Sequence, residues 1–227
     1  NMELLKACAE PGGEGVARVK ALLDSDGVNI NFRRRANKTT PLVCAVAFGR
    51  VEVVRLLLAR GALVDLQDEQ RGTPLMVACA QGDMACVGAL LEAGASVDAK
   101  RTKDFASALH LASMGGHEDI CTELVKKGCD VGWRNAAGFT AVSLVIEAIT
   151  SRMHSSVRGD ASRYGASGVK VETSTDIDAY LAILQLLSRA GADINAANAR
   201  GWTPLMVAAR WNARRAVETL LALKCDI

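Results

Sequence analysis

The stretch that decides the fold is GTPLMVACAQGDMACVGALLEAGASVD, residues 72–98, because the same phrase recurs along the chain. Residues 39–65 read TTPLVCAVAFGRVEVVRLLLARGALVD, and related phrases occupy residues 107–131 and 202–227. The copies begin at Thr40, Thr73, Ser107, Thr140 and Thr203, so the spacing is 33 or 34 residues, except before the last copy, where it is 63. A repeat of this length predicts a stack of similar helical units that share one continuous core.

Each residue type that recurs between the copies of the phrase has a physical reason. The Ser or Thr that opens a copy suits a helix N-cap, where its hydroxyl accepts a hydrogen bond from an orphan N–H. Pro41, Pro74 and Pro204 follow at the first helical position, where no N–H is needed. Gly61 and Gly94 fit the left-handed turn that ends a second helix. The phrase therefore predicts two short helices per copy, followed by a loop.

These residues resemble the ankyrin repeat, whose copies begin Thr-Pro-Leu-His and have a period of about 33 residues. The resemblance implies an all-α ankyrin-repeat solenoid of helix-turn-helix units joined by β-hairpin-like loops, forming a single domain over residues 1–227. The expected repeats are 2–34, 35–67, 68–101, 102–134, 135–197 and an incomplete 198–227. The first lacks the Thr-Pro start and is expected to be a divergent N-terminal repeat.

Composition bounds the setting in which the protein works. No run of about 18 apolar residues is present, so no membrane span is expected. The seven cysteines form no Cys-x-x-Cys pair and replace small or apolar residues of sister repeats, which indicates buried thiols in a reducing compartment. With no charged-then-apolar leader at its start, the chain is expected to be intracellular and cytoplasmic, with the nucleus as an alternative.

No catalytic or ligand-binding arrangement stands out from the repeat. His110 and His117 fall at standard positions of the phrase, where the resemblance implies structural histidines, and no third and fourth metal ligand has a workable spacing. No Ser–His–Asp, Cys–His or paired-carboxylate set is evident, and the glycines occur singly, without a phosphate-cradling loop. We therefore expect no enzymatic activity, no cofactor and no metal.

The loops that join the units are predominantly basic, although the whole chain has a net charge of only +2. Their charged residues are Arg33, Arg34, Arg35, Lys38, Asp68, Glu69, Arg71, Lys100, Arg101, Lys103, Asp104, Arg134 and Arg200. In the ankyrin family, the hairpin tips and first helices line a concave face that binds partners. A basic rim there would steer an acidic partner, and the alternative is that the tips are merely solvated.

Aromatic residues occupy two variable positions of the phrase. Phe139 and Trp202 directly precede the start of a copy, and Phe48 and Trp211 follow its first helix. The resemblance places both positions on the groove, where exposed rings are typical binding anchors; the alternative is that Trp202 and Phe139 only pack across neighbouring hairpins. The predicted partner-binding residues are Arg35, Lys38, Phe48, Arg71, Lys103, Met114, Phe139, Arg200, Trp202 and Trp211.

The long spacing before the last copy indicates an insertion of about 30 residues in repeat five, placed at 150–175. The segment is rich in Ser, Gly and charge, but Ile149 and Met153 continue the apolar pattern of the preceding helix. We expect the first helix to overrun, the second to begin about three residues early at Ile177 after a Thr175 cap, and an irregular loop to lie between them. The insertion is either a functional feature or a tolerated surface loop.

The last repeat is unusually apolar on its second helix. Val217, Leu220, Leu221 and Leu223 are too apolar to face water entirely, so we expect further repeats or another domain after Ile227, or contact with a second copy. We otherwise expect a monomer. The resulting function is a non-catalytic protein–protein interaction scaffold that binds a peptide or a folded domain. The alternatives are a regulatory module of a larger protein with a catalytic or channel domain downstream, and a binder of nucleic acid or anionic lipid through its basic tips.

Overall fold

The computed structural model describes residues 1–25, 27–69, 72–158 and 175–226. Twelve helices, arranged as six helix–turn–helix pairs, occupy these ranges, and no strand is found among them. The helices are α1 (Met2–Ala9), α2 (Gly12–Leu23), α3 (Pro41–Ala47), α4 (Val51–Ala59), α5 (Pro74–Gln81), α6 (Met84–Glu92), α7 (Ala108–Gly115), α8 (Glu118–Lys126), α9 (Ala141–Arg158), α10 (Thr175–Arg189), α11 (Pro204–Arg210) and α12 (Arg214–Ala222). The all-α prediction is confirmed, including the divergent first pair.

The predicted caps start the first helices of the repeats. The Thr40 hydroxyl accepts a hydrogen bond from the Val43 amide at 3.1 Å, and Thr73 and Thr203 do the same with the third residue of their helices at 3.3 Å. Because each of these bonds satisfies an otherwise orphaned N–H, each cap stabilises its helix by about 1 kcal/mol. The proline that follows fits the first turn without losing a backbone bond.

Left-handed residues end the second helices and start the loops. Gly61, with φ +83°, follows α4 and turns the chain away from the helix axis. The loop beyond it closes on itself: the Asp68 amide donates to the Gly72 carbonyl at 3.1 Å, and equivalent bonds close the other loops. These hydrogen-bonded turns, with no strand in the described residues, are the β-hairpin-like connections predicted from the sequence.

Small residues allow close packing of successive helix pairs. Ala45 and Ala78 are fully buried, where α3 packs against α5, and α4 packs against α6 beside them. The leucines of the second helices complete the core, with Leu57 and Leu90 fully buried. One helix pair has too little apolar surface to fold alone, so each repeat depends on its neighbours.

Contacts along the chain group its residues into two compact units, Asn1–Leu111 and Ala112–Ile227. The first contains α1 to α6 and the first half of α7, and the second contains the remainder. In the first unit α1 and α2 pack against α3 and α4, and in the second α9 and α10 pack against α11 and α12. The prediction of a single domain stays a prediction.

Repeat five differs from the others in the length of both helices. As predicted, α9 overruns the usual end of a first helix, and it continues to Arg158. The segment placed in the insertion is therefore helical over residues 150–158. Helix α10 begins at Thr175, two residues before the predicted start at Ile177, because a capping pattern locates a helix end only to within a residue or two. The irregular loop predicted between the two helices lies at 159–174, outside the described residues.

Candidate partner-binding surface

Two asparagines hold the loop residues that precede the first helices of the second unit. The Asn198 carboxamide oxygen accepts hydrogen bonds from the amides of Arg200 and Trp202 at 2.9 and 3.1 Å. Asn135 repeats this arrangement one repeat earlier, with its oxygen 2.9 Å from the Phe139 amide. Because the Asn135 and Asn198 side chains hydrogen-bond to the backbone of their own turns, these turns are held in one conformation. The half-buried rings of Phe139 and Trp202 follow these turns.

Arg210 joins two of the predicted aromatic residues. It is the last residue of α11, and its guanidinium carbon lies 5.2 Å from the centroid of the Trp202 ring and 5.7 Å from that of Trp211. Each contact has the geometry of a cation–π interaction, worth about 0.5–1 kcal/mol at an exposed site. Trp211 is 41% exposed, so the group forms an ordered aromatic and cationic surface that faces solvent. We call Trp202, Arg210 and Trp211 the Trp–Arg cluster.

A carboxylate lies close to the basic loop of the same unit. Glu147 of α9 is half-buried, and burial raises the pKa of its carboxyl, while the positive charge of Arg200 acts in the opposite direction and lowers it. Glu147 stands in repeat five where Arg210 stands in repeat six, seven residues after the cap. The equivalent positions of adjacent repeats thus have opposite charges.

Met114 lies on a backbone that is anchored from the second helix of the next repeat. Its carbonyl accepts a hydrogen bond from the Tyr180 hydroxyl at 3.0 Å, and the Arg152 guanidinium lies 4.7 Å from the Tyr180 ring centroid. The Met114 side chain itself is exposed, as its predicted role requires. These contacts also fix the base of the two lengthened helices, since Arg152 belongs to α9 and Tyr180 to α10.

The first unit contains the other predicted residues. Phe48 is the C-cap of α3 and its side chain is 54% exposed. Gln81 occupies the equivalent position in repeat three, and its side-chain amide donates a hydrogen bond to the Ala47 carbonyl. Arg35, Lys38 and Lys103 are exposed on the loops. Arg71, the remaining predicted residue, lies outside the described residues.

Three of the basic loop residues form hydrogen bonds or ion pairs with other residues of the protein. The guanidinium of Arg33 donates to the Gln67 carbonyl at 2.8 Å, and that of Arg134 to the Ala197 carbonyl at 2.5 Å, so both tie one loop to the next. Arg101 forms a two-pronged ion pair with Asp104. Part of the positive charge of the loops thus stabilises the loops themselves.

Several nucleophilic side chains of the described residues are buried. The Ser107 hydroxyl lies 2.7 Å from His110 Nδ1 and accepts a hydrogen bond from the His110 amide at 3.4 Å, and both residues are buried at the start of α7. Burial raises the pKa of the Cys8, Cys86 and Cys121 thiols to about 12, which keeps them protonated at neutral pH. Within the described ranges, no group of three or more His, Cys, Asp or Glu side chains is arranged to hold a metal ion.

Sequence reasoning missed Arg210. It stands between Trp202 and Trp211 in the sequence, which was a usable signal, but only the structure shows its guanidinium over both rings. It also missed Phe105, an exposed loop aromatic in a left-handed conformation with φ +54°. Phe105 lies two residues before the start of its copy at Ser107, so it falls at neither of the two variable positions at which aromatic residues were noted in the sequence.

Two family models for ankyrin repeats match the sequence. A family model for ankyrin repeats in three copies matches residues 4–101 and 61–135, and a second, for ankyrin repeats in many copies, matches residues 176–221. No curated protein matches the chain in sequence.

Among solved structures, an ankyrin repeat domain from Acinetobacter baumannii AYE is similar over 98% of each chain, with a TM-score of 0.77 and 24% identity. At that identity the likeness shows the fold alone. In the part of the chain that the structure describes, no helix is long and apolar enough to cross a membrane.

Proposed function

The chain belongs to the ankyrin-repeat family, a fold that typically binds other proteins without catalysis, and on that premise we propose that it is a non-catalytic protein–protein interaction scaffold. Its partner is a peptide segment or a folded domain. The contact surface consists of the loop tips and the exposed ends of the first helices, the concave side in this family. In the first unit Arg35, Lys38, Phe48 and Lys103 contribute, and in the second Met114, Phe139, Arg200 and the Trp–Arg cluster.

The single observation that carries the proposal is the Trp–Arg cluster. Two indoles and a guanidinium are held in contact while Trp211 keeps 41% of its surface exposed. Such an arrangement has lost most of its side-chain freedom before a partner arrives, so binding costs little further entropy. Trp and Arg are also the residues most enriched among those that dominate binding energy at interfaces.

The internal use of loop arginines disfavours nucleic acid or anionic lipid as the partner. Binding of a polyanion draws on many free cations along one surface, whereas Arg33 and Arg134 are committed to neighbouring loop carbonyls and Arg101 to Asp104. A mixed-charge protein surface fits Arg200, Arg210 and Glu147 better. The role of a regulatory module within a larger protein is compatible with the same binding surface, and buried protonated thiols support a reducing, cytoplasmic setting.

A selection from a random peptide display library tests the proposal. Peptides enriched on the wild-type protein are expected to bind the Trp202→Ala and Trp211→Ala variants at least about 10-fold more weakly. The matched control is Met84→Ala, which removes an exposed apolar side chain from the second helix α6. Failure to enrich any peptide, or equal binding by the tryptophan variants, would overturn the proposal. Tight binding of single-stranded DNA with steep salt dependence would favour the polyanion alternative instead.

A further inference from the structure

One position of the first helix carries opposite charges in repeats five and six. Glu147 of α9 and Arg210 of α11 both stand seven residues after the threonine that opens their copy. In repeats two to four the same position holds Ala47, Ala80 and Met114, which are all exposed, so it points toward solvent and not into the stack. Since alanine is enough for the helix at this position, folding does not require the two charges.

Both charged groups are available to a partner. Within the described residues, no side-chain hydrogen bond or ion pair engages the Glu147 carboxylate or the Arg210 guanidinium. The charge of Arg200 lowers the pKa of Glu147, but burial outweighs it, so a further cation would stabilise the carboxylate. Arg210 lies over the rings of Trp202 and Trp211. A guanidinium stacked on a ring keeps its in-plane N–H donors for a carboxylate of the partner.

The separation of the two charges follows from the packing of their helices. α9 and α11 pack against each other, and packed helices have axes about 8–10 Å apart. Equivalent positions of the two helices are therefore separated by a similar distance. The loops ahead of these helices keep the same register, because the Ala199 amide donates a hydrogen bond to the Ala137 carbonyl at 3.3 Å.

We propose that this surface selects an extended peptide in the polyproline II conformation, with a basic and an acidic residue three positions apart. The basic residue pairs with Glu147 and the acidic residue with Arg210. This inference rests on the proposed function, because it names the class of peptide that the same surface binds. Three residues of polyproline II advance about 9 Å and complete one turn, so residues i and i+3 point to the same side at the required separation.

The aromatic rings beside the two charges favour the same conformation. Phe139 and Trp202 are half-buried at equivalent positions of their loops, and Trp211 is 41% exposed. Aromatic-lined grooves recur as sites for polyproline II segments, whose preformed shape loses little entropy on binding. In a β-strand, residues i and i+3 face opposite sides. In a helix, residues on one face about 10 Å apart are i and i+7. The spacing of the charges in the peptide therefore identifies its conformation.

Selection of a random peptide library on the full chain tests the spacing. Enriched peptides that bind Trp202→Ala and Trp211→Ala more weakly are expected to carry a basic and an acidic residue three positions apart, with proline enriched around them. Charges seven positions apart would indicate a helical partner, and peptides without a charged pair would show that the charges do not select. Either result would overturn this inference and leave the proposed function standing. A library from which nothing is enriched would overturn both.

Double-mutant cycles on one selected peptide test the two contacts by titration calorimetry. Glu147→Gln is combined with replacement of the peptide's basic residue by glutamine, and Arg210→Gln with replacement of its acidic residue by glutamine. Each matched pair should show a coupling of about 10-fold in affinity, and the crossed pairs should be nearly additive.

The matched controls are Arg214→Gln and Glu218→Gln, which make the same changes of charge at an exposed ion pair of α12. Because these residues lie on a second helix, outside the proposed surface, both controls should leave the affinity unchanged. A purely structural role of Glu147 or Arg210 predicts additive effects in its matched pair. Additive effects in either matched pair would therefore overturn the inference.

Discussion

Repeat three and repeat six, residues 68–101 and 198–227, share one framework and use it differently. Both begin with a Thr-Pro cap, and their helices have nearly the same lengths. In repeat three, glycine occupies both left-handed turns, at Gly82 and Gly94, and Met76 and Leu90 are buried while Met84 is exposed. In repeat six, Asn212 and Lys224 hold those turns at φ +53° and +62°, and several apolar side chains face solvent.

The difference separates residues that stabilise the fold from residues that are available to a partner. The repeat needs its caps, small residues and leucines to form at all, so these say little about function. Departures from the repeat that lower the solubility of the isolated protein are informative, because a protein keeps an exposed residue such as Trp211 at some cost. The Trp–Arg cluster is a departure of this kind, and it lies in repeat six.

The largest expected effect comes from one substitution made at equivalent sites of the two repeats. Met76→Glu places an unpaired carboxylate in a closed interface and should lower the free energy of unfolding by about 4 kcal/mol or more. Met206→Glu, at its exposed counterpart, should change it by less than about 0.5 kcal/mol in dilute solution. Urea denaturation followed by circular dichroism measures both. Equal destabilisation by the two variants would contradict the stated difference in burial.

A smaller effect is expected at the left-handed residue after the second helix. A side chain at positive φ costs roughly 1 kcal/mol relative to glycine, and Lys224 has φ +62° where Gly94 has φ +83°. Lys224→Gly should therefore stabilise the protein by about 1 kcal/mol, and Gly94→Lys should destabilise it by a similar amount. Urea midpoints of the two variants, measured together, test the pair. A loss of stability in Lys224→Gly would show that the lysine has a compensating role.

The smallest expected effect concerns Glu147 and depends on pH. Burial raises the pKa of this carboxyl above its unfolded value, so ionisation favours unfolding. Its contribution to stability is present in acid and is lost as the pH rises through the folded-state pKa. Glu147→Gln should therefore be more stable than wild type at neutral pH, and the difference should disappear below the ordinary range of a Glu carboxyl. In an Arg200→Ala background, the stability difference that Glu147→Gln makes at neutral pH should be larger, because the charge that lowers the Glu147 pKa is gone. A stability difference that does not change with pH would contradict the raised pKa of Glu147.

The fold could be predicted because its determinants are local. Thr73, Pro74 and Gly94 act on their own turns, so sequence spacing alone locates them. The candidate surface could be predicted only in part. The positions of Trp202 and Trp211 follow from the repeat, but the direction of the Arg210 side chain between them depends on three-dimensional packing. Likewise, no local pattern distinguishes a loop arginine that faces solvent from Arg134, which bonds a carbonyl 63 residues further along the chain.

The central claim is that repeat six keeps exposed aromatic residues for binding and not for folding. Calorimetric titration of one library-selected peptide into wild type and Trp211→Ala, with urea midpoints measured on the same samples, tests it most directly. The expected result is that Trp211→Ala binds the peptide at least about 10-fold more weakly than wild type. Its urea midpoint should differ from that of wild type by no more than the midpoint of Met84→Ala does. An unchanged affinity, or a loss of affinity that only follows a loss of folding, would contradict it.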